Sequence, residues 1–219
     1  PKAEPIVRMP FEVRHMGSKY PIFSFDFTGA KRGVLPASYD YLRLEGRMQY
    51  RLNLPPIGYS QLMLEGGKIF GKVPYLLLKL HEGNGTYFYD RYAFSCMNFY
   101  EFSSDAWISF FYEHHFNGFL LGRVPLLKKL NWREVFVFKG VYGTLSARND
   151  GSLPNTKAVM LFPVGMSSVE HPYLETGFGI ENIFRLLRVD CIWRLTHHRA
   201  VPGLSIPTFT VNFSLNLKF

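Results

Sequence analysis

The sequence predicts an all-β chain, an antiparallel transmembrane β-barrel segment of about nine strands. Three observations carry that reading. Aromatic residues make up 17% of the chain and charged residues only 19%, with Gly and Pro as punctuation. This composition favours strands and turns over helices. Apolar and polar residues alternate with period two, the spacing that sends successive side chains to opposite faces of a strand. The alternating runs are also long, about ten residues, which is what a tilted strand needs to cross a bilayer.

Taken in chain order, the first expected strand is 22–28, followed by 39–52. In 39–52, Leu42, Leu44, Met48, Tyr50 and Leu52 face one way, and Tyr41, Arg43, Glu45, Arg47, Gln49 and Arg51 the other. Less regular strands are expected over 59–70 and 88–102. Residues 105–116 set Ala106, Ile108, Phe110, Tyr112 and Phe116 opposite Ser109, Glu113 and His115. A further strand is expected over 133–146. Residues 173–183 set Leu174, Thr176, Phe178 and Ile180 opposite Glu175, Gly177, Gly179 and Glu181. Residues 187–197 set Val189, Cys191, Trp193 and Leu195 opposite Arg188, Asp190, Arg194 and Thr196. The last strand, 209–219, is fully apolar on one side: Phe209, Val211, Phe213, Leu215, Leu217 and Phe219 alternate with Thr210, Asn212, Ser214, Asn216 and Lys218. That face and its terminal Phe resemble the C-terminal insertion signal that barrel-assembly machinery reads on outer-membrane proteins.

The connections sort by length. Residues 147–172 form the longest loop, 198–207 is rich in Pro and Gly, and 118–132 reads as a short amphipathic helix in which Val124, Leu127 and Leu130 lie beside Arg123, Lys128 and Lys129. Basic and apolar residues at that spacing suit a segment at the lipid headgroup level, or packing against protein. Counting hairpins back from a periplasmic C-terminus puts 147–172 and 198–207 outside the cell, and 117–132 and 184–187 in the periplasm. The chain is expected to be one unit, 1–219, with no second domain and no repeat beyond its hairpins.

Several function classes are disfavoured. No window approaches about eighteen consecutive apolar residues, so no transmembrane helix is expected. The N-terminus lacks the apolar core of a signal peptide, which reads as a mature fragment or an internal start. The net charge of +8 is dispersed among apolar residues. That favours lumen and headgroup roles over a nucleic-acid patch. Cys96 and Cys191 lie far apart and suggest neither a disulfide framework nor a metal site. Residues 66–72, GGKIFGK, approach a phosphate-binding loop, but Val73 stands where a hydroxyl is needed and Pro74 where a helix should begin. His114–His115 and His197–His198 are adjacent in strands, so each pair points to opposite faces and cannot chelate one ion. His115 shares a face with Glu113. No G-x-S-x-G elbow occurs, and neither Cys has a recognisable His partner motif. No cofactor and no catalysis are expected. Asn84-Gly85-Thr86 and Asn212-Phe213-Ser214 match a glycosylation acceptor, the second inside a strand.

The polar faces define the candidate site. Arg43, Glu45, Arg47, Glu113, His115, Glu175, Glu181, Asp190 and Arg194 are expected to point into the lumen. They either line a solute path or pair across strands and plug it, and buried charges are seldom left alone.

Three stretches carry a family resemblance: GNGTYFYDRYAFSCMNFYEFSSDAWISFFYEHHFNGFLLGRVPLLKKLNWREV (83–135), YLETGFGIENIFRLLRVDCIWRLT (173–196) and FTVNFSLNLKF (209–219). They resemble Bacteroidota outer-membrane proteins of unknown function. Those proteins carry a carboxypeptidase-regulatory-like β-sandwich ahead of a C-terminal barrel similar to those of the surface-antigen and barrel-assembly superfamily. The resemblance implies a bacterial outer-membrane location and a barrel of roughly sixteen strands, within the range known for such barrels. This chain would then be the C-terminal part of that barrel, since an open half-barrel leaves two unpaired edges in lipid. The superfamily's Arg-Gly-aromatic lumen motif has no match beyond Lys139-Gly140-Val141-Tyr142, so no insertase activity is carried over. The expected role is structural, transport or assembly; a gated or passive solute channel and a soluble β-sandwich binding module are the alternatives. The expected partners are outer-membrane lipid and lipopolysaccharide, the assembly machinery during insertion, and other outer-membrane proteins.

Overall fold

A computed structural model describes residues 7–9, 12–14, 20–33, 38–152, 158–198 and 205–215. The strands, in chain order, are β1 (Val7–Met9), β2 (Glu12–Arg14), β3 (Ile22–Ala30), β4 (Tyr41–Leu54), β5 (Gly58–Gly71), β6 (Lys79–Leu80), β7 (Phe102–Ser104), β8 (Ala106–His115), β9 (Arg133–Thr144), β10 (Ser167–Ser168), β11 (Tyr173–Ile183), β12 (Leu187–Arg194) and β13 (Phe209–Leu215). One four-residue α-helix, α1 (Pro125–Lys128), lies in the 118–132 connection where an amphipathic helix was expected.

Eight strands form one antiparallel sheet in the order β13-β12-β11-β9-β8-β5-β4-β3. It is an open sheet: β3 and β13 do not pair with each other. β1 and β2 make a separate hairpin, and β10-β7-β6 a small three-stranded sheet.

Eight of the nine expected strands are present. The ninth, 88–102, is a correction. Residues 88–101 form turns and bends with isolated bridges, and only 102–104 is a strand. The reason is visible in the side chains. Phe94, Ser95, Cys96 and Met97 are buried in succession, so the run has no strand-like division into a buried and an exposed face.

The register fixes which residues share a face. Cross-strand partners run Arg47↔Glu65, Glu65↔Ser109, Phe111↔Lys139, Lys139↔Glu175, Glu175↔Arg194 and Asp190↔Asn212. All nine residues expected to share the lumen side do lie on this one face. The opposite face carries Phe25, Leu44, Leu64, Phe110, Phe138, Phe178, Cys191 and Phe213.

Burial is inverted relative to a sheet in water. On the polar face Glu113, Glu175, Asp190, Arg194 and Lys139 are nearly inaccessible. On the apolar face Phe25 is 69% exposed, Phe178 60% and Leu215 64%. Phe209 and Phe213 of β13 are also exposed there. Leu217 and Phe219 of the expected insertion signal lie outside the described residues.

The two rims differ. On one, residues 55–57, 116–132 and 184–186 join β4–β5, β8–β9 and β11–β12. On the other run 31–40, 72–105, 145–172 and 195–208. All four are longer than 55–57 and 184–186, and two of them, 72–105 and 145–172, are longer than 116–132 as well.

Candidate functional site: a polar sheet face closed by an internal insert

The polar face is covered by the chain between β5 and β8. Residues 72–105 leave the long rim, fold over the face and return. The insert brings its own apolar side chains: Phe94, Met97 and Phe102 pack with Met63, Phe111, Val141 and Tyr173 of the sheet, and with Val169. Trp107 lies flat across Gly67, where an added Cβ would sit 2.5 Å from the indole. This is the physical reason for glycine in the 66–72 run, which is the end of β5 and not a phosphate loop. Gly179 likewise leaves room for Asp190, whose carboxylate would meet a Cβ at 2.2 Å.

Polar contacts complete the docking. Glu113 is the centre: its carboxylate accepts the Tyr89 hydroxyl, Arg91 Nε at 2.7 Å and Arg188 Nη2 at 3.1 Å. Arg188 also donates to both oxygens of Asp190. His115 stands between two carboxylates, with Nδ1 3.1 Å from Glu181 and Nε2 3.5 Å from Glu113. Glu175 accepts the backbone N–H groups of Ser95 and Cys96 at 2.8 and 2.6 Å, and the Tyr173 hydroxyl. Lys139 donates to the Asp90 and Ala93 carbonyls at 2.7 and 2.6 Å. Arg194 donates to Glu101 and to the Cys96 carbonyl. Towards β3 the charges pair along the sheet: Arg43 with Glu45, Arg47 with Glu65, and Lys79 with Glu65 at 2.5 Å.

The expected site residues therefore fall into two groups. Arg43, Glu45 and Arg47 form ion pairs by the open β3 side. Glu113, His115, Glu175, Glu181, Asp190 and Arg194 form the bed on which the insert rests. Sequence reasoning expected pairing across strands and missed the third element, the insert. It also missed Glu65, Lys139 and Arg188, although Arg188 lies two residues from Asp190 in the same alternation, and Lys139 is the one charge among Val135, Val137 and Val141 on its face. For the insert, the usable signal was the length of the 72–105 connection.

Two cavities lie beside the insert and the long rim. One, about 320 Å³, lies between β4, β5, β8 and the insert, lined by Arg47, Glu65, Lys79, His81, Asp90 and Tyr92 among others. The other, about 620 Å³, opens on the long rim and includes Glu101, Glu170, His171, His197 and His198. Among the described residues no group of three His, Cys, Asp or Glu side chains could hold a metal ion. A Ser–His contact exists, Ser60 Oγ to His114 Nδ1 at 2.8 Å, but Ser60 is 4% exposed and His114 Nε2 donates to the Ile57 carbonyl. This pair fastens the 55–57 turn. Cys96 is buried in the insert, where desolvation pushes its thiol up to about 12. It is a packing residue and not a nucleophile.

His81, at the base of the insert, bonds to Ser104 Oγ at 2.9 Å. Burial, with the Lys79 ammonium adding to it, pulls it down to about 3 from an ordinary 6.5. The docked insert therefore holds His81 neutral, and a released insert lets it titrate near 6.5. Stability of the docked state is complete above that value. It is lost as pH falls from 6.5 towards 3, at up to about 1.4 kcal/mol per pH unit. Hydrogen exchange of residues 81–101, corrected for its intrinsic pH dependence, is expected to accelerate between pH 7 and 5. A flat profile in wild type would remove His81 as a pH-sensitive contact, and His81→Gln should give that flat profile.

An all-β sheet with a charged, insert-covered face defines a class of chain by structure alone. The family follows from comparison: residues 6–147 match the family described as "Family of unknown function (DUF5686) C-terminal domain". The match spans more than half of the chain, and the chain belongs to that family. No curated protein matches it.

Proposed function

We propose that this chain is the C-terminal portion of a β-barrel in a bacterial outer membrane, with residues 72–105 as the plug of its lumen. One observation carries the reading: the sheet is inside-out. Its ionisable face is buried from β5 to β12, and its aromatic and aliphatic face is bare on all eight strands. In water a bare face of Phe, Leu and Ile on this scale is a liability; in lipid it is the required surface. Short connections on one rim and long ones on the other fit the periplasmic and outer sides of such barrels. Among the described residues β3 has no strand on its outer side, and β13 is met there only by residues 87–89 of the insert, at Phe213; both edges call for further strands, because lipid tolerates no open sheet edge. The family's larger barrel of roughly sixteen strands would supply them.

The role that fits is structural or in assembly at the outer membrane, without catalysis. The plug's buried ion pairs argue against a permanently open pore. A gated solute path is the second reading, favoured by the 320 Å³ space that the insert leaves beside Arg47, Glu65 and Lys79. Lipid, lipopolysaccharide, the assembly machinery and neighbouring outer-membrane proteins are the partners this places around the chain. Fractionation of expressing cells and heat-modifiable migration on a gel test the reading. Recovery in the outer-membrane fraction is expected, and recovery as a soluble protein without detergent would sink it. Deletion of Phe219 should reduce insertion severalfold, more than Arg43→Gln; equal insertion of both would remove the C-terminal signal.

A further inference from the structure

The short rim carries a charge pattern that the barrel reading does not require. Residues 116–132 are a built shelf. Backbone bonds run Gly122 to Gly118, Lys128 to Val124 and Leu130 to Leu127, and the Glu134 carboxylate accepts the Leu121 N–H. The shelf is tied to the neighbouring turn, since Asn182 Nδ2 donates to the Asn131 carbonyl at 2.7 Å. Shelf and turn therefore act as one surface.

That surface presents cations and apolar side chains together. Arg123, Lys128, Lys129 and Arg185 are exposed. Among the described residues none of the four has a carboxylate within ion-pair distance. The Arg123 guanidinium is held 4.1 Å above the Phe119 ring. Between the cations stand Phe184, 86% exposed, with Leu120, Val124, Leu130 and Leu186. Acidic groups here are engaged: Glu134 on the Leu121 N–H and Glu181 on His115. Exposed acids outside the sheet, Glu82 and Glu170 among them, sit on the opposite rim.

We infer that this rim is an anchor for anionic phospholipid in the leaflet it meets. The cations bind headgroup phosphates while Phe184 and the leucines enter the acyl boundary, the division of labour of an interfacial amphipathic segment. A partner protein would satisfy the apolar groups but would need a matching row of acids. A bilayer supplies negative charge and hydrocarbon in the required order. The inference rests on the membrane reading above and adds the lipid class and the residues.

The test uses the full-length protein that carries this chain, reconstituted into phosphatidylcholine vesicles. These carry a trace of photoactivatable phosphatidylglycerol or, separately, photoactivatable phosphatidylcholine. Crosslinks are mapped by mass spectrometry. Phosphatidylglycerol is expected to label 116–133 and 182–188 in at least about fivefold excess, an excess removed by high salt. The Arg123→Gln, Lys128→Gln, Lys129→Gln, Arg185→Gln variant should lose it while keeping its heat-modifiable migration. Equal labelling of the rim by both lipids, with the strand faces labelled, overturns this inference and leaves the membrane reading standing. No labelling of β8, β9 or β11 by either lipid overturns both. Salt-sensitive dimers without lipid assign the rim to a second copy and overturn it as well.

Discussion

Replacing Glu113 with alanine is expected to free the insert from the sheet. The carboxylate is 1% exposed and joins Tyr89 and Arg91 of the insert to Arg188 of β12. Its loss leaves the nearly inaccessible Arg188 with one carboxylate, Asp190, and Arg91 with none. Breaking a buried pair from one side costs about 3–5 kcal/mol, because the remaining charge stays desolvated. At about 1.4 kcal/mol per tenfold, amide exchange over 87–97 should rise by about two to three and a half orders of magnitude. Arg91→Ala should do far less, since that side chain is 38% exposed and its pair is partly screened by solvent. In planar bilayers the full-length protein with the Glu113→Ala substitution should show conductance that wild type lacks. Exchange unchanged from wild type would show that the insert is held by its apolar contacts and not by this carboxylate.

The strands were legible because each carries its own evidence. Arg43, Glu45 and Arg47 against Leu42, Leu44 and Met48 define two faces within one short run. Cross-strand register then follows from the need to keep like faces together. This is why the nine expected polar-face residues lie on a common surface. The insert was not legible for the opposite reason. Tyr89, Arg91, Ser95 and Cys96 are ordered by partners 22 to 80 residues away, Glu113 and Glu175. No local period records such contacts. Aromatic-rich 88–102 has strand propensity, but propensity yields to tertiary burial when both sides of a run are enclosed. Lys139 shows the same limit. In the sequence it is a lone charge in an apolar strand, and only the Asp90 and Ala93 carbonyls explain it.

Replacing Phe178 with arginine separates the membrane reading from a soluble one by sign. Phe178 stands at the middle of β11 on the bare face, 60% exposed, touching Phe136 at 5.3 Å between rings. On a water-facing sheet an exposed Phe→Arg change is close to neutral, within about 0.5 kcal/mol, and improves solubility. At mid-bilayer the same change costs about 2–4 kcal/mol. Val164 on the long rim is 92% exposed and serves as the control, since Val164→Arg is neutral under either reading. Folding of the full-length protein into vesicles, followed by urea titration and heat-modifiable migration, measures both variants against wild type. A large loss confined to Phe178→Arg is the expected result, because only lipid penalises a charge that water would welcome. Equal stability of the two variants would mean that the bare face meets water or another protein. The charged bed beneath the insert would then have to be explained as the core of a sheet that hides its polar side.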